Sequence, residues 1–335
     1  MPRLRRTSPD QPGWTRRAAG RGFVYLDENG DRLPPEDAQR VNDLVIPPAW
    51  RDVWITPYAN GHLQAVGTDD AGRRQYLYHP AWVEQRAAEK HDRVLRFGER
   101  LPKIRVRVME DLAGEELGLA RACAVAVRML DLGCFRIGND VYAEEYGSFG
   151  LTTLERHHVR RSGDRLVFEF TGKSGIDHHV EIEDADVVEV VERMRRRRSA
   201  DDPCLLAFRN GRGWRTLTPA DVNDYLRDVA EMDATAKDFR TWHGTVLAAA
   251  ALASAPGPDA SKTARKRAVA AAMREVADFL GNTPALARSS YVDPRVVDAY
   301  EEGRTIAAAA RRARGAPDEV QATLERATLR LIRAS

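Results

Sequence analysis

The hydrophobic pattern of this chain changes near Pro80, and that change does most to limit the folds it can adopt. Before Pro80, short apolar stretches alternate with turn-forming residues such as Asn29-Gly30, which is typical of antiparallel strands. Beyond it, apolar residues recur at helical spacing over long segments. We therefore predict an α+β protein with a small amino-terminal antiparallel β-sheet domain in residues 1–90 and a larger, mainly α-helical domain in residues 91–335.

The turn signals of the small domain also delimit its elements. A hairpin is expected in FVYLDENGDRL, and further strands are expected in DVWITPY, HLQAVGTD and RRQYLYH. One helix is predicted in PPEDAQRVNDL. Another helix begins at Pro80, because proline is favoured in the first turn of a helix. This second helix would lead into the larger domain.

A second β segment interrupts the helical part of the chain. Three strand-like stretches, ERHHVRR, RLVFEFTG and IDHHVEIED, are separated by turn residues at 162–164 and 173–175. In the middle stretch Leu166, Phe168 and Phe170 alternate with other residues, which is the period of a strand with one buried face. We expect a three-stranded antiparallel sheet here. The helix before it, EELGLARACAVAVRMLDLG, is expected to end at its glycine, and helices resume after the sheet and continue to the end.

The composition is that of an ordinary globular protein. The chain has 335 residues, of which 43% are apolar, and no stretch approaches the ~18 consecutive apolar residues of a membrane span. The amino terminus is basic but lacks the apolar core of a signal peptide, so we expect a cytoplasmic protein. Its three scattered cysteines contain no CxxC pair, which predicts neither a disulfide framework nor a zinc site.

Charge is distributed unevenly along the chain. The net charge is only +2, but basic clusters alternate with acidic segments such as 181–186. Arginine prevails over lysine in most of these clusters and is the better partner for phosphate, because its planar fork binds two oxygens. This pattern is compatible with solvated surfaces and also with a one-sided DNA-binding face. The basic clusters are Arg3–Arg6, Arg16–Arg21, Arg195–Arg198 and Lys262–Arg267.

Tyr291 is the most informative single residue of the chain because of its local sequence, LGNTPALARSSYVDP. Thr283-Pro284 has the pattern of an N-cap followed by the first residue of a short helix. Asp293-Pro294 begins another helix in the same way. Tyr291 would therefore lie where a short helix ends, a position from which a side chain can point into a cleft.

Three cations upstream complete a chemically meaningful set with Tyr291. Arg136 lies in FRIGN, Lys173 in the glycine-flanked turn TGKSG and Arg240 in KDFRTWHGT, while Asn282 follows a helix end. A phenol can attack phosphorus and form an ester that a sugar hydroxyl attacks in turn. The two guanidinium groups can bind phosphate oxygens, and a lysine can donate a proton to the leaving oxygen. Each residue alone is common in structural roles, whereas their order and local sequences are specific together.

These motifs resemble those of the type IB DNA topoisomerases, in particular the small poxvirus-like branch found in bacteria. The resemblance extends from about residue 23 to about residue 300 and is carried by RRQYLYH, MLDLGCFRIGND, TGKSG, KDFRTWHGT and LGNTPALARSSYVDP. It implies an enzyme that relaxes supercoiled duplex DNA by transient cleavage of one strand, strand rotation and religation. It also implies that the cut strand is held through a 3′-phosphotyrosyl link.

The resemblance assigns a role to each member of the set. Tyr291 would be the nucleophile, Arg136 and Arg240 would bind the scissile phosphate, and Lys173 would act as general acid toward the 5′-oxygen. Asn282 stands where the viral members carry a histidine and bacterial members an asparagine, and both side chains are neutral donors.

Further residues match the family outside this set. Lys237, three residues before the second arginine, matches a lysine of the family motif and would assist. Gln75, Tyr76 and Tyr78 match a strand that contacts DNA in the major groove. The two domains would form a C-shaped DNA clamp that opens near the helical residues 86–96, and phosphate contacts would make binding steeply dependent on salt.

The resemblance also bears on cofactors and partners. Torsion stored in the DNA would drive relaxation, and the sequence contains no GxxxxGK[ST] loop for a nucleotide. We therefore expect no ATP, no metal and no other cofactor. The expected partner is duplex DNA, without a membrane, and the protein is predicted to be a bacterial, nucleoid-associated monomer.

Three alternatives remain open from the sequence. A tyrosine recombinase shares this set, but it usually has a histidine at the position of Lys237. A metal-dependent nuclease would use the histidine pairs 157–158 and 178–179, although neighbouring residues on a strand point to opposite faces and no cysteine or carboxylate cluster completes a site. The third alternative is a DNA-binding protein without catalytic activity, which the complete set argues against.

Overall fold

The structure is a computed structural model, and it describes residues 3–138, 143, 147–198, 202–211, 213–257 and 260–334. The chain divides into two compact units, Met1–Asp92 and Arg93–Ser335. The first is built around an antiparallel sheet and the second is mainly helical, as the sequence predicts. None of the helices in the described ranges is long and apolar enough to span a bilayer.

The first unit contains a five-stranded antiparallel sheet with the strand order β2-β1-β3-β4-β5. Helix α1 covers it, and the small core includes Trp14, Val41 and Ile55. The strands are β1 (Trp14–Ala19), β2 (Gly22–Leu26), β3 (Arg51–Ile55), β4 (Leu63–Thr68) and β5 (Arg74–Tyr78), and the helix is α1 (Pro35–Asp43). Strands β3, β4 and β5 and helix α1 confirm the prediction for these segments.

The prediction for the first strands needs a correction. Strand β2 pairs with β1, a segment for which we predicted a basic cluster and no strand. The expected hairpin around Asn29-Gly30 is reduced to a single bridge between Leu26 and Arg32. The side chain of Asp27 accepts hydrogen bonds from the backbone N–H groups of the following turn, which closes it without a second strand.

Helix α2 (Pro80–Leu112) begins at the predicted proline and continues well into the second unit. Its buried apolar side chains recur every three or four positions, so that one stripe faces the core. These residues are Val94, Phe97, Leu101, Ile104, Val108 and Leu112. In the described ranges of the second unit, further α-helices are α3 (Leu119–Gly133), α4 (Ala185–Arg195), α5 (Pro219–Ala230), α6 (Ala236–Ala253), α7 (Lys262–Leu280), α8 (Pro284–Ser290), α9 (Pro294–Glu301), α10 (Ala307–Arg312) and α11 (Pro317–Arg333).

The second unit also contains the predicted three-stranded antiparallel sheet, with the strand order β6-β7-β8. Its strands are β6 (Val159–Ser162), β7 (Arg165–Thr171) and β8 (Asp177–Ile182). The predicted first strand is shorter than expected, because Arg156–His158 forms a turn of 3₁₀ helix. A further hairpin, β9 (Ala207–Asn210) and β10 (Gly213–Thr216), was not predicted.

Helix α3 ends at Gly133, as predicted, but the left-handed residue after it is Cys134, with φ = 50°. Gly133 is needed here because it leaves room for a neighbouring side chain. A Cβ at Gly133 would lie 2.4 Å from a ring atom of Phe135, so its absence lets that aromatic ring fold back against the helix end.

Candidate active site

Tyr291 is the residue that directly follows helix α8, and the predicted caps surround it. The side chain of Thr283 accepts a hydrogen bond from the N–H of Leu286 at the helix start, and the N–H of Tyr291 donates to Ala287 O at 3.0 Å. Asp293 caps the next helix. Tyr291 is half-buried, and these caps fix its backbone at the junction of two short helices.

The backbone of Tyr291 is also held against helix α6. Thr245 Oγ1 donates to Tyr291 O at 3.3 Å. A Cβ at Gly244 would lie 2.9 Å from the same oxygen, which explains a glycine in the interior of this helix. Because Arg240 lies one turn earlier on α6, this contact brings the nucleophile candidate and one cation candidate to the same place.

Arg240 is buried, and its guanidinium is bound to the ends of two helices. Nη2 donates to Leu280 O at 2.6 Å and Nη1 donates to Cys134 O. Carbonyl oxygens at the carboxyl end of a helix carry partial negative charge and stabilise a cation. The guanidinium carbon lies 5.3 Å from the centre of the Tyr291 ring.

Arg136 binds the same helix end. Its Nη2 donates to Gly281 O at 2.9 Å and to Asn282 Oδ1 at 2.8 Å. Burial and the nearby charge of Arg240 lower the pKa of Arg136, whereas the charge of Tyr291 opposes that shift. The structure therefore brings together four of the predicted site residues, Tyr291, Arg136, Arg240 and Asn282.

The end of helix α7 organises this cluster. Gly281 adopts the left-handed conformation, with φ = +59°, and the N–H of Asn282 donates to Ala277 O at 2.8 Å. This arrangement is the Schellman type of helix end, which reverses the chain and leaves the last carbonyls accessible. The two arginines use those carbonyls, and the Asn282 side chain faces one of the arginines.

Lys173 lies at the tip of the β7–β8 hairpin, as predicted. Residues Lys173–Gly175 form a short 3₁₀ turn in which Ser174 has φ = 67°. The side chain of Lys173 is exposed. It shares with Arg136 the lining of a cavity of about 220 Å³, so the lysine reaches the border of the cluster.

Lys237 is exposed on the first turn of helix α6, one turn before Arg240. Its backbone carbonyl accepts a hydrogen bond from Thr241 Oγ1 at 3.2 Å.

The predicted DNA-contacting residues lie on β5, at one edge of the sheet of the first unit. Tyr76 and Tyr78 share a face, their ring centroids are 6.1 Å apart, and they are 46% and 39% exposed. Gln75 points to the opposite face and donates to Asp69 Oδ2 at 2.8 Å. Two exposed aromatic rings on an edge strand form a surface suited to contact with another molecule.

His178 belongs to the cluster, although we considered it from the sequence only as a possible metal ligand. It lines a cavity of about 230 Å³ together with Arg136 and Arg240. Burial lowers the pKa of His178, and the charges of these two arginines lower it further, while Asp177 opposes the shift. The sequence contained a signal for this position, because His178 is in phase with the inward-facing Val180 and Ile182 of β8.

The histidine pairs do not form a common site. His158 lies in the 3₁₀ turn before β6, where its ring lies 4.4 Å from that of Phe149. His179 lies on the outer face of β8 between Glu169 and Glu181. Within the described residues, no group of three or more His, Cys, Asp or Glu side chains is arranged to hold a metal ion.

Comparison with known proteins matches both units of the chain. A model of the eukaryotic DNA topoisomerase I catalytic core matches residues 79–314, and a model of the bacterial DNA topoisomerase IB amino-terminal domain matches residues 22–69. The chain is 28% identical to DNA topoisomerase 1B of Acanthamoeba polyphaga mimivirus over 296 residues, 86% of this chain and 88% of the relative. It is 20% identical to DNA topoisomerase 1B of vaccinia virus (strain Copenhagen) over 244 residues, 71% of this chain and 72% of the relative.

The fold and these matches define a DNA topoisomerase, an enzyme that acts on DNA. The chain belongs to the type IB DNA topoisomerase family. The resemblance inferred from the sequence motifs is thereby confirmed, and the tyrosine recombinase is no longer needed as an alternative.

Proposed function

We propose that this protein relaxes supercoiled duplex DNA by cutting one strand with Tyr291, holding the cut end covalently and rejoining it. The main support is the position of the Tyr291 ring beside Arg240: the guanidinium carbon lies 5.3 Å from the centre of the ring. Arg136 and Asn282 gather at the same helix end. A phenol beside two cations matches the demands of attack on a phosphodiester.

In the proposed reaction, the phenolic oxygen of Tyr291 forms a bond to phosphorus as the bond from phosphorus to the 5′-oxygen breaks. The phenol loses its proton to solvent and the leaving 5′-oxygen gains one, so that the products are a 3′-phosphotyrosyl ester and a free 5′-hydroxyl. Because the ester preserves the energy of the broken bond, the 5′-hydroxyl can attack the same phosphorus and restore the strand. Between the two steps, the free end rotates about the intact strand, and neither ATP nor a metal is required.

The two arginines are assigned to the scissile phosphate. Arg240 Nε is buried and has no hydrogen-bond partner in the described part of the chain, which leaves it as a donor for an anion. Arg136 uses only Nη2 in its hydrogen bonds to described residues, so its remaining N–H groups can bind a phosphate oxygen. Both guanidinium groups are held by helix ends before DNA arrives, which avoids reorganisation during the reaction.

Asn282 and the two lysines complete the assignment. Asn282 Oδ1 accepts from Arg136 and the amide nitrogen donates to Leu280 O at 3.4 Å, so we assign its second N–H as a neutral donor for the phosphate. Lys173 is assigned as the general acid that gives a proton to the leaving 5′-oxygen, a role worth roughly 10²–10⁴ in rate. Lys237 is assigned an assisting role beside Arg240.

Binding to duplex DNA is assigned to β5 and to basic residues of both units. Tyr76 and Tyr78 present their rings to the outside, and Gln75 is the third family-matched position. We propose that the protein acts as a monomer in the bacterial cytoplasm, on the nucleoid. The arrangement of the two units as a clamp stays a prediction.

The test is relaxation of negatively supercoiled plasmid with a chelator and without ATP. The wild-type protein should relax the plasmid, and Tyr291→Phe should abolish relaxation while duplex binding stays within a few-fold. Tyr300→Phe is a matched control, because the hydroxyl of this buried tyrosine donates to Pro256 O. Normal relaxation by Tyr291→Phe would show that another residue is the nucleophile, and a requirement for ATP or a metal would contradict the proposed mechanism.

A further inference from the structure

The ring of His178 is wedged between two glycines that belong to different parts of the candidate site. A Cβ at Gly172 would lie 2.5 Å from His178 Cδ2 and 2.6 Å from Nε2. A Cβ at Gly281 would lie 2.7 Å from His178 Cε1. Real side chains do not approach this closely, so the imidazole occupies its place only because both neighbours lack a Cβ.

Each of these glycines precedes a proposed catalytic residue. Gly172 is followed by Lys173 at the hairpin tip, and the N–H of Gly172 donates to Ile176 O at 2.8 Å. Gly281 is followed by Asn282, and the carbonyl of Gly281 accepts a hydrogen bond from Arg136. The imidazole therefore fills the space between the hairpin that carries the proposed general acid and the helix end that carries the phosphate-binding groups.

The surroundings of the ring favour a role as a rigid, uncharged spacer. It stacks on Phe170 with a centroid distance of 5.1 Å and an angle of 18°. Burial and the charges of Arg136 and Arg240 lower its pKa, so the ring is neutral near neutral pH, where a third cation would be repelled. No hydrogen bond joins its ring nitrogens to another residue in the described ranges. In this respect it differs from His158 and His179, whose ring nitrogens have hydrogen-bond partners.

We propose that His178 is a positioning residue, whose ring sets the distance between the Lys173 hairpin and the helix end at Gly281 and Asn282. The inference rests on the proposed function, since it concerns the placement of the general acid. Its effect on the reaction is indirect: without the ring, the hairpin can collapse toward the helix end or move away from it, and Lys173 is displaced from the leaving oxygen. A misplacement of about 1 Å can cost about 10² in rate.

The first test compares two leaving groups in single-turnover cleavage by His178→Ala. With an ordinary 5′-oxygen, cleavage should slow by about 10². With a 5′-sulfur in the same position, which leaves without a proton, the rate should return to within a few-fold of wild type. An equal defect on both substrates would overturn the inference, because the ring would then serve the phosphate or the nucleophile.

A second variant separates the shape of the ring from its nitrogens. His178→Phe keeps a planar ring that can stack on Phe170 but has no hydrogen-bonding atom. We expect it to cleave the ordinary substrate within a few-fold of the wild-type rate. A rate as low as that of His178→Ala, in a variant with wild-type thermal stability, would mean that an imidazole nitrogen contacts DNA, and the proposal would be wrong.

A third variant tests the contact between Gly172 and the His178 ring by changing the glycine. Gly172 has φ = −101°, which alanine tolerates, but the added Cβ meets the His178 ring. Gly172→Ala should therefore slow cleavage of the 5′-oxygen substrate, and adding it to His178→Ala should cause no further loss. Additive losses, or full activity of Gly172→Ala, would contradict the contact.

Two controls separate this inference from the proposed function. Lys173→Ala should be slow on the 5′-oxygen substrate and rescued by the 5′-sulfur, and Tyr291→Phe should be inactive on both. If these controls behave otherwise, the proposed function itself fails. If they behave as expected and His178→Ala is not rescued, only the positioning role is refuted. Thermal denaturation of each variant identifies any loss caused by unfolding.

Discussion

At the scale of single residues, the two arginines of the site are defined by the helix ends that hold them. Arg240 bridges the carbonyl of Cys134, after α3, and that of Leu280, the last residue of α7. Arg136 binds the next carbonyl along, that of Gly281. A guanidinium has three nitrogens in a rigid planar fork, so the nitrogens not used in these contacts remain for another partner, whereas an ammonium group has a single nitrogen.

The planar geometry of the guanidinium group predicts the effect of Arg240→Lys. The variant keeps the positive charge but cannot bridge both carbonyls and bind a phosphate oxygen. Single-turnover cleavage should slow by about 10²–10³, the usual loss for a preorganised donor, while duplex binding stays within a few-fold. Arg274→Lys, at an exposed position of α7, is the matched control. Wild-type cleavage by Arg240→Lys would show that charge alone suffices.

The lowered pKa of His178 predicts an effect of pH on stability. Burial is the first cause and the charges of Arg136 and Arg240 are the second, and they move the pKa below its ordinary value of 6.5. The unfolded chain therefore binds this proton more tightly than the folded chain. Stability contributed by neutral His178 is present above pH 6.5 and is lost as the pH falls below it.

Urea denaturation at several pH values measures this effect. The free energy of unfolding of wild type should fall more between pH 7 and pH 5 than that of His178→Phe, because the variant lacks the titrating group. Parallel pH profiles for the two proteins would show that His178 is not the source of the acid sensitivity.

At the scale of elements, a buried ionic network connects the last helix to those that carry the site. Arg105 on α2 makes two hydrogen bonds to Asp131 on α3 and two to Glu325 on α11. His243 Nε2 on α6 lies 3.0 Å from Asp131 Oδ1. Burial acts to raise the pKa of Asp131, but the bonds and charges of His243 and Arg105 outweigh it and hold the pKa below its usual range. The network fixes α6, and with it Arg240, against the end of α3.

Removal of the central carboxylate should therefore destabilise the second unit. Asp131→Ala leaves Arg105 and His243 without their shared buried partner, and we expect a loss of about 3–5 kcal/mol in the free energy of unfolding. Glu89→Ala, which breaks the exposed pair with Arg86, should cost less than about 1 kcal/mol. Urea denaturation of the two variants makes the comparison. Equal losses would mean that the network is not a structural centre.

The sequence predicted those elements whose pattern is local. The caps Thr283 and Asp293 depend on neighbouring residues, and the structure confirms them. Strand β7 is also present where the alternation predicts it, but Val167, on the opposite face from Leu166 and Phe168, is buried as well. Strand β1 was not predicted, because its arginines are typical of a solvated surface. In the structure, Arg16 donates to the carbonyls of Pro47 and Trp50, a distant loop that no local pattern reveals.

The residues of the candidate site also differ in whether the local sequence reveals them. Tyr291, Arg136, Arg240, Lys173 and Asn282 were found through motifs, and the structure gathers four of them with Lys173 at the border. His178 was missed as a member, because its role depends on two glycines far apart in the chain. The predicted Arg195–Arg198 cluster was likewise not a uniform surface, since Arg197 is buried and donates to Leu205 O at 2.9 Å.

At the scale of the whole molecule, the small net charge of +2 provides little general attraction for DNA. Affinity must then come from local contacts between arginine or lysine and phosphates. Each phosphate contact releases counterions, so that the logarithm of the binding constant falls linearly with the logarithm of salt concentration, with a slope of about −0.9 per contact.

This dependence is a testable property of the complex. Duplex binding by wild type should weaken steeply with salt, and Arg136→Gln should reduce the magnitude of the slope by about one contact. Binding titrations at several salt concentrations give both slopes. A slope near zero for wild type would contradict a complex held by phosphate contacts.

The site of covalent attachment to DNA tests directly whether Tyr291 is the nucleophile. A labelled duplex is incubated with the protein and a chelator, the reaction is stopped with denaturant, and the adduct is digested and mapped by mass spectrometry. We expect one adduct, in which the phenolic oxygen of Tyr291 is joined to a 3′-phosphate and the other fragment ends in a 5′-hydroxyl. An adduct on another residue, attachment through a 5′-phosphate, or strand cleavage without any adduct would contradict this expectation.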